Sequence, residues 1–214
     1  MEVEYKYDRS RDIRCLLTKG KGSYNSSHAT KAYEQLVAFK GEEPTENDTD
    51  EFIEKYLLDN SIDTETWSQK YQKEWSEVST EYQKRAEAIF GVTLPANVTG
   101  FLTINERCPY MIKDNFFYIS VPTASANRIA LHELWHFYTW YGLGEKEQDR
   151  LGKEKYNEFK ESLTVLLNIE CADLLGEGVV DAGYPQHQEI RSEITDFWMK
   201  SKDIKALWNH LAGT

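Results

Sequence analysis

The sequence predicts an α+β fold in which a long helix and a small, mainly antiparallel sheet are packed on a buried helix. Three observations lead there. Residues 63–91, DTETWSQKYQKEWSEVSTEYQKRAEAIFG, carry Trp67, Tyr71, Trp75, Val78, Tyr82 and Ile89 at helical spacing before Gly91, the pattern of one long amphipathic helix with a glycine stop. After Pro95 the period changes, and NVTGFLTINE and NFFYISV are β-branched and aromatic runs separated by the turn-rich RCPYMIKD, which predicts two or three strands. Residues 131–144, LHELWHFYTWYGLG, are almost wholly apolar and aromatic, so their helix belongs in the interior.

The other elements follow in order. VEYKY alternates as a short strand does, and SSHATKAYEQLVAFKG has a serine cap, helical spacing at Ala32, Tyr33, Leu36 and Val37, and a terminating Gly41, so a helix is expected there. The acidic GEEPTENDTD reads as a solvated loop. The length suits one domain, and this loop marks off residues 1–60 either as an N-terminal lobe or as part of the same domain as residues 61–214. Pro122 closes the last strand, and Thr123 or Ser125 can cap a helix over about residues 124–141. LGKEKYNEFKESLTVLLNIECADLLG is expected to form the next helix, with one apolar face through Tyr156, Phe159, Leu163, Leu166 and Leu174. Its second stripe, Glu158, Glu161, Val165, Asn168 and Ala172, begins acidic and becomes apolar. EIRSEITDFWMKSKDIKALWNHL predicts two short amphipathic helices forming a C-terminal lid, through Ile190, Ile194, Phe197 and Trp198, then Ile204, Leu207 and Trp208.

Composition narrows the function. Thirty-six acidic against 25 basic residues leave a net charge of -11, which repels phosphate backbones and anionic lipid surfaces. Nucleic acid and membrane are therefore not expected partners. The charged N-terminal segment lacks the apolar core of a secretory signal, and nowhere do about 18 apolar residues run together; the expectation is a soluble, cytoplasmic protein. Cys15, Cys108 and Cys171 are odd in number, far apart and without a CxxC pair, which suits reduced thiols. The sequons at Asn25, Asn47 and Asn97 then carry no meaning. His28 and His210 have no metal-ligand neighbour and are expected at the surface.

Within the apolar helix stand His132, Glu133 and His136. An unpaired carboxylate or imidazole is costly to bury. At i and i+4 the two histidines share a helix face roughly 6 Å apart, so both rings can turn a nitrogen to one ion. Glu133 lies about 100° further round the helix, at the flank of that ion, within reach of a water held there.

This is the H-E-x-x-H motif, and the chain, over residues 64–175, resembles the zincin metallopeptidases: a strand leads into an apolar helix bearing HELWH. The resemblance implies a zincin-like fold, one zinc ion and a peptide or protein substrate. The metzincin extension would need glycine at 139 and histidine or aspartate at 142, where Thr139 and Gly142 stand. The gluzincin branch, to which thermolysin belongs, takes a glutamate from the following helix as third ligand. Glu161 is favoured because it adjoins the apolar half of its stripe. Glu158 is the alternative, since it follows Asn157 and resembles the asparagine-glutamate pair of thermolysin-like enzymes. Whichever does not bind the metal is a candidate hydrogen-bond partner for a histidine ligand. Glu170, on the opposite face, is expected to pair with Arg128 or another base.

The resemblance further implies that Glu133 acts as general base on a zinc-activated water and returns the proton to the leaving amine. An oxyanion-stabilising group is expected from DAGYPQHQEIR, with Tyr184 and His187 as candidates. GFLTIN or FFYISV could offer a strand edge to an extended peptide. The competing functional class is a zinc-binding, non-proteolytic scaffold for a partner; retention of Glu133 favours the enzyme.

Overall fold

The structure, a computed structural model, describes residues 1–22, 28–41 and 43–213. The fold is α+β, in two compact units: Glu2–Ser76 with Ala96–Ala126, and Met1 with Glu77–Pro95 and Asn127–Thr214. The first 60 residues are not a unit by themselves, because their strand is hydrogen-bonded into the sheet formed by later residues.

The first unit holds β1 (Glu2–Tyr7), α1 (Arg9–Lys19), α2 (Lys31–Lys40), α3 (Glu46–Asp59), the start of α4 (Thr64–Phe90), β2 (Asn97–Thr103), β3 (Tyr110–Met111), a 3-10 turn at Ile112–Asp114 and β4 (Phe116–Ser120). The strand order is β1-β2-β4-β3. β1 and β4 both run parallel to β2, and only the two-residue β3 is antiparallel, to β4. This corrects the expectation of a mainly antiparallel sheet. RCPYMIKD is not a hairpin turn: it contains β3, which runs back along the outer side of β4, so the chain re-enters beside β2 in the same direction. Tyr5, Gly100 and Phe117 are level on adjacent strands. The rings of Tyr5 and Phe117 meet over Gly100, 6.2 Å between centroids; a Cβ at Gly100 would lie 2.7 Å from the Tyr5 ring, so only glycine fits.

The peptide-edge expectation is corrected too. β2, the GFLTIN strand, is an inner strand. β4 is covered by β3 at Phe116 and Phe117; beyond them the Tyr118 N–H donates to the Pro109 carbonyl at 2.8 Å, and the Ser120 carbonyl accepts from the Tyr71 hydroxyl at 3.2 Å. On the far edge, Gln72 of α4 clasps the outer backbone of β1, accepting from Tyr5 N–H at 3.1 Å and donating to the Val3 carbonyl at 2.9 Å. Edge groups satisfied in this way are poor templates for another strand.

Two helices stand where the sequence suggested none. Asp8 caps α1 by accepting from Arg11 N–H. The expected acidic loop is mostly the start of α3, where Thr45 and Asp48 form a capping box that satisfies orphan N–H groups reciprocally. The serine cap expected for α2 and the Asn25 sequon lie outside the described residues; the α2 cap is Thr30.

Asp12 of α1 is fully buried and tied to the end of β2. Its Oδ1 accepts from the Thr103 hydroxyl at 2.6 Å and from Ile104 N–H at 3.2 Å, and its Oδ2 from the Tyr7 hydroxyl at 3.2 Å.

The second unit contains the rest of α4, α5 (Ala126–Gly142), α6 (Gly144–Leu151), α7 (Lys153–Ser162), α8 (Val165–Glu170), α9 (Ala172–Leu175), a 3-10 turn at Pro185–His187, α10 (Gln188–Ser201) and α11 (Ile204–Ala212). The buried stripe of α4 ends on Tyr82, Ala86 and Phe90, one residue beyond the expected Ile89. Tyr82 donates to the Leu131 carbonyl at 2.9 Å, and Phe90 meets Trp135 at 5.0 Å and stacks on Tyr138 at 6.0 Å. α5 is thereby held by two aromatic residues of α4, Tyr82 and Phe90. The single helix expected over residues 151–176 is instead α7, α8 and α9. At the first break Ser162 donates to the Glu158 carbonyl at 2.7 Å, and the Thr164 hydroxyl lies 2.8 Å from the Glu161 carbonyl. Trp208 of α11 packs on Tyr156 and Phe159 of α7, at 5.6 and 5.7 Å, so the C-terminal helices buttress α7. Among the described residues no helix is long and apolar enough to cross a membrane.

Burial, only partly offset by the Thr103, Ile104 and Tyr7 hydrogen bonds, pushes the Asp12 carboxyl up to about 6, from 3.8. The folded state therefore holds this proton more tightly than the unfolded chain does. The corresponding stability is complete below pH 3.8 and is lost as pH rises through about 6, an effect on the order of 3 kcal/mol. Asp12→Asn should flatten this part of the pH profile, as read from urea midpoints across that window.

Candidate metal centre

Two elements of the second unit build the site. α5 is buried on nearly every side, with Leu131, Leu134, Trp135, Phe137 and Tyr138 all inaccessible. His132 and His136 are one turn apart on it, ring centroids 4.6 Å apart, as the i, i+4 geometry requires. Their Nε2 atoms are separated by 3.1 Å. Glu161, in the last turn of α7, points its Oε2 at both, 3.4 Å from His136 Nε2 and 3.8 Å from His132 Nε2. These three residues offer donor atoms within 4.8 Å of one another, a group that could hold a metal ion. His136 is 1% exposed and Glu161 7%, whereas the side chain of His132 keeps 19% of its surface. Solvent therefore reaches the group from the His132 side.

A hydrogen-bonded shell fixes these donors. His132 Nδ1 lies 2.6 Å from Asp181 Oδ2, a partnership that turns the imidazole and leaves Nε2 as the donor. Asp181 sits in the segment between α9 and the 3-10 turn. Asn168 of α8 grips its backbone twice, donating to its carbonyl at 2.8 Å and accepting from its N–H at 2.7 Å. Arg191 of α10 donates to the same carbonyl at 2.5 Å and lies 3.3 Å from Oδ1. The Thr164 hydroxyl is 2.8 Å from Oδ1 and accepts from Arg191 Nη1 at 2.8 Å. Arg191 lies directly under Gly183, where a Cβ would approach Nη1 to 2.6 Å and where φ is +62°, so both space and backbone conformation select glycine.

The charges follow from this packing. Burial pulls the imidazolium of His132 down, but the hydrogen bond to Asp181 and the nearby Glu161 carboxylate outweigh it and push its pKa up to about 10. Burial takes His136 down to about 4, against the opposing charge of Glu161. Burial, offset in part by His132 and reinforced by Glu161, pushes Glu133 up to about 8. Glu161 is held well below the carboxylate range: burial opposes this, but the histidines and Lys160 prevail. Asp181 falls to about 2, because His132, Thr164 and Arg191 overcome burial.

Of the residues singled out from sequence, His132, His136 and Glu161 converge, and Glu133 is buried one step along α5. Glu158 does not join them; it is half-buried, and the acceptor expected of it for a histidine is Asp181 instead. Tyr184 and His187 lie at the 3-10 turn, which packs on α7. Their rings are in contact at 5.6 Å, and His187 is buried with Nδ1 lacking a hydrogen-bond partner among the described residues. They are not part of the three-donor group. Glu170 pairs with Lys202 and accepts from Trp198 Nε1 at 2.7 Å, so its base is Lys202 and not Arg128. All three cysteines are free. His28 and His210 are exposed, the latter 2.8 Å from Glu193.

Sequence reasoning missed Asp181, Lys160, Thr164, Asn168 and Arg191. The one available signal was Asp181 itself, a carboxylate directly after two valines in the glycine-rich GEGVVDAG. In comparisons with protein-family models, curated proteins and solved structures, none matches this chain.

Arg191 and Asp181 are 4% and 2% exposed. Arg191→Met removes one partner of a buried ion pair and should destabilise the fold by about 3–5 kcal/mol, measured as a lower denaturant midpoint at unchanged m.

Proposed function

We propose that this chain is a zinc-dependent peptidase of the gluzincin type. The observation that carries the proposal is the spacing of the three donors. Ligands held tetrahedrally at about 2.0–2.1 Å from zinc are separated from one another by roughly 3.3 Å. Here the separations are 3.1, 3.4 and 3.8 Å. Two imidazoles and one carboxylate form a donor set suited to zinc, and three donors leave the fourth position open.

When bound, the ion would lower the pKa of water at the open position and polarise the substrate carbonyl. The protein does the rest. His132, His136 and Glu161 hold the ion, and Asp181 keeps His132 turned toward it. Glu133, whose carboxyl burial holds at about 8 while no cation is beside it, would ionise next to the bound ion and then take the proton of the attacking water and deliver it to the leaving amine. Tyr184 and His187, on the turn beside α7, are the proposed stabilisers of the oxyanion. The substrate is a peptide or protein segment entering from the exposed side of His132. Gln72 holds the outer backbone of β1, and β2 and β4 are inner strands, so main-chain addition to GFLTIN or FFYISV is not part of the proposal.

The test is elemental analysis combined with a peptide-library cleavage assay. Wild type and Glu158→Ala should each carry one zinc per chain, and Glu161→Ala should lose it. Glu133→Gln should keep the zinc and lose peptide hydrolysis by about 10²–10⁴-fold. Tight zinc without turnover in the wild type would favour the non-proteolytic scaffold; a wild type that takes up no zinc on reconstitution would end both readings.

A further inference from the structure

Lys160 is buried, 6% exposed, and its Nζ lies 2.9 Å from Glu161 Oε1. Neighbouring residues on a helix diverge by about 100° and do not face each other. A lysine normally carries its ammonium into water along a flexible stem. Lys160 instead keeps its ammonium buried against the carboxylate of the next residue, at the cost of desolvating it. The two oxygens of Glu161 are thereby separated in function: Oε2 faces His132 and His136, and Oε1 is held by Lys160.

We infer that Lys160 is a positioning residue that restricts Glu161 to coordination through one oxygen and so keeps the fourth position of the ion open for water and substrate. The inference rests on the metal-centre reading of the cluster. Carboxylates bind cations through one oxygen or both. A Glu161 free to swing Oε1 inward would fill the position that a catalytic site must keep open. The ammonium holds Oε1 away, and it draws electron density from the carboxylate, leaving the ion the stronger Lewis acid.

The test uses the purified full chain, stripped of metal by chelation and titrated with cobalt(II), whose visible absorption reports coordination number. Lys160→Met keeps the aliphatic stem and removes the charge; Lys160→Arg restores a cation. Wild type is expected to show the intense bands of a four-coordinate ion. Lys160→Met should still bind one cobalt per chain with weakened bands, as Glu161 becomes bidentate, and Lys160→Arg should recover them. Unchanged bands in Lys160→Met would overturn the inference. So would complete loss of cobalt from a Lys160→Met protein whose far-ultraviolet circular dichroism is native, since Lys160 would then hold Glu161 in place without governing its denticity. A wild type that binds no cobalt would instead defeat the metal centre itself, which keeps the two failures distinct.

Discussion

Electron-pair donors crowded into a low-dielectric interior repel one another unless a cation or a proton lies between them. His132 Nε2, His136 Nε2 and Glu161 Oε2 are in that position, at 3.1 to 3.8 Å, and much of the second unit serves to keep them there. α4 clamps α5 through Tyr82 and Phe90, which fixes the histidine face of the helix. Trp208 and the C-terminal helices press α7 from behind and fix Glu161. The break after Ser162 lets Thr164 point at Asp181 rather than continue a regular helix. Remove the converging donors, and neither the break in α7 nor the buried arginine has a reason to exist.

The same constraint accounts for the charges. Glu133, Glu161 and Asp181 are buried carboxylates; Lys160 and Arg191 are the buried side chains with permanent positive charge. Burial raises Glu133 to about 8 and so favours its neutral acid, which leaves Glu161 and Asp181 facing Lys160 and Arg191. A proton on His132 is held there by Asp181 and Glu161. Proton and metal compete for the same nitrogen, because a ligating imidazole must be neutral. An apolar core of this size has no intrinsic use for five ionisable side chains. Four of them are paired, Lys160 with Glu161 and Arg191 with Asp181, which offsets the cost of burying their charges.

How much of this could be read from sequence depended on whether a feature is local. HELWH lies within two turns of one helix, so residue identity and spacing suffice to place both imidazoles on one face. The long α4 was equally legible, because its aromatic stripe repeats at helical period over many turns. Strand existence was visible in the β-branched runs, but direction was not, since alternation is the same for parallel and antiparallel pairing. α1 and α3 were hidden by their charge: their starts are written in capping residues, Asp8 and Thr45 with Asp48, and not in apolar periodicity. Glu161 and Glu158 share a stripe, and only the tertiary packing of α7 decides which is buried. Asp181 is further still from any local signal. Its place is set by Asn168 before it and Arg191 after it, across a segment with no periodicity at all.

For the proposed peptidase, the inner position of β2 and β4 limits how a peptide could be held. An exposed strand edge is the simplest device for gripping a peptide main chain without regard to sequence. In this sheet the outer backbone of β1 is held by Gln72, and β4 is covered by β3, Pro109 and Tyr71. For the proposed peptidase, recognition then falls to side chains near the one donor open to solvent, His132, and to the segment from Gly176 to His187 that carries Asp181, Tyr184 and His187. That segment is irregular, with left-handed glycines at 176, 178 and 183, yet it is anchored at its centre by Asn168 and Arg191. Sequence change on either side of Asp181 would alter the entrance while leaving the His132 hydrogen bond intact, so specificity can vary there without loosening the donors.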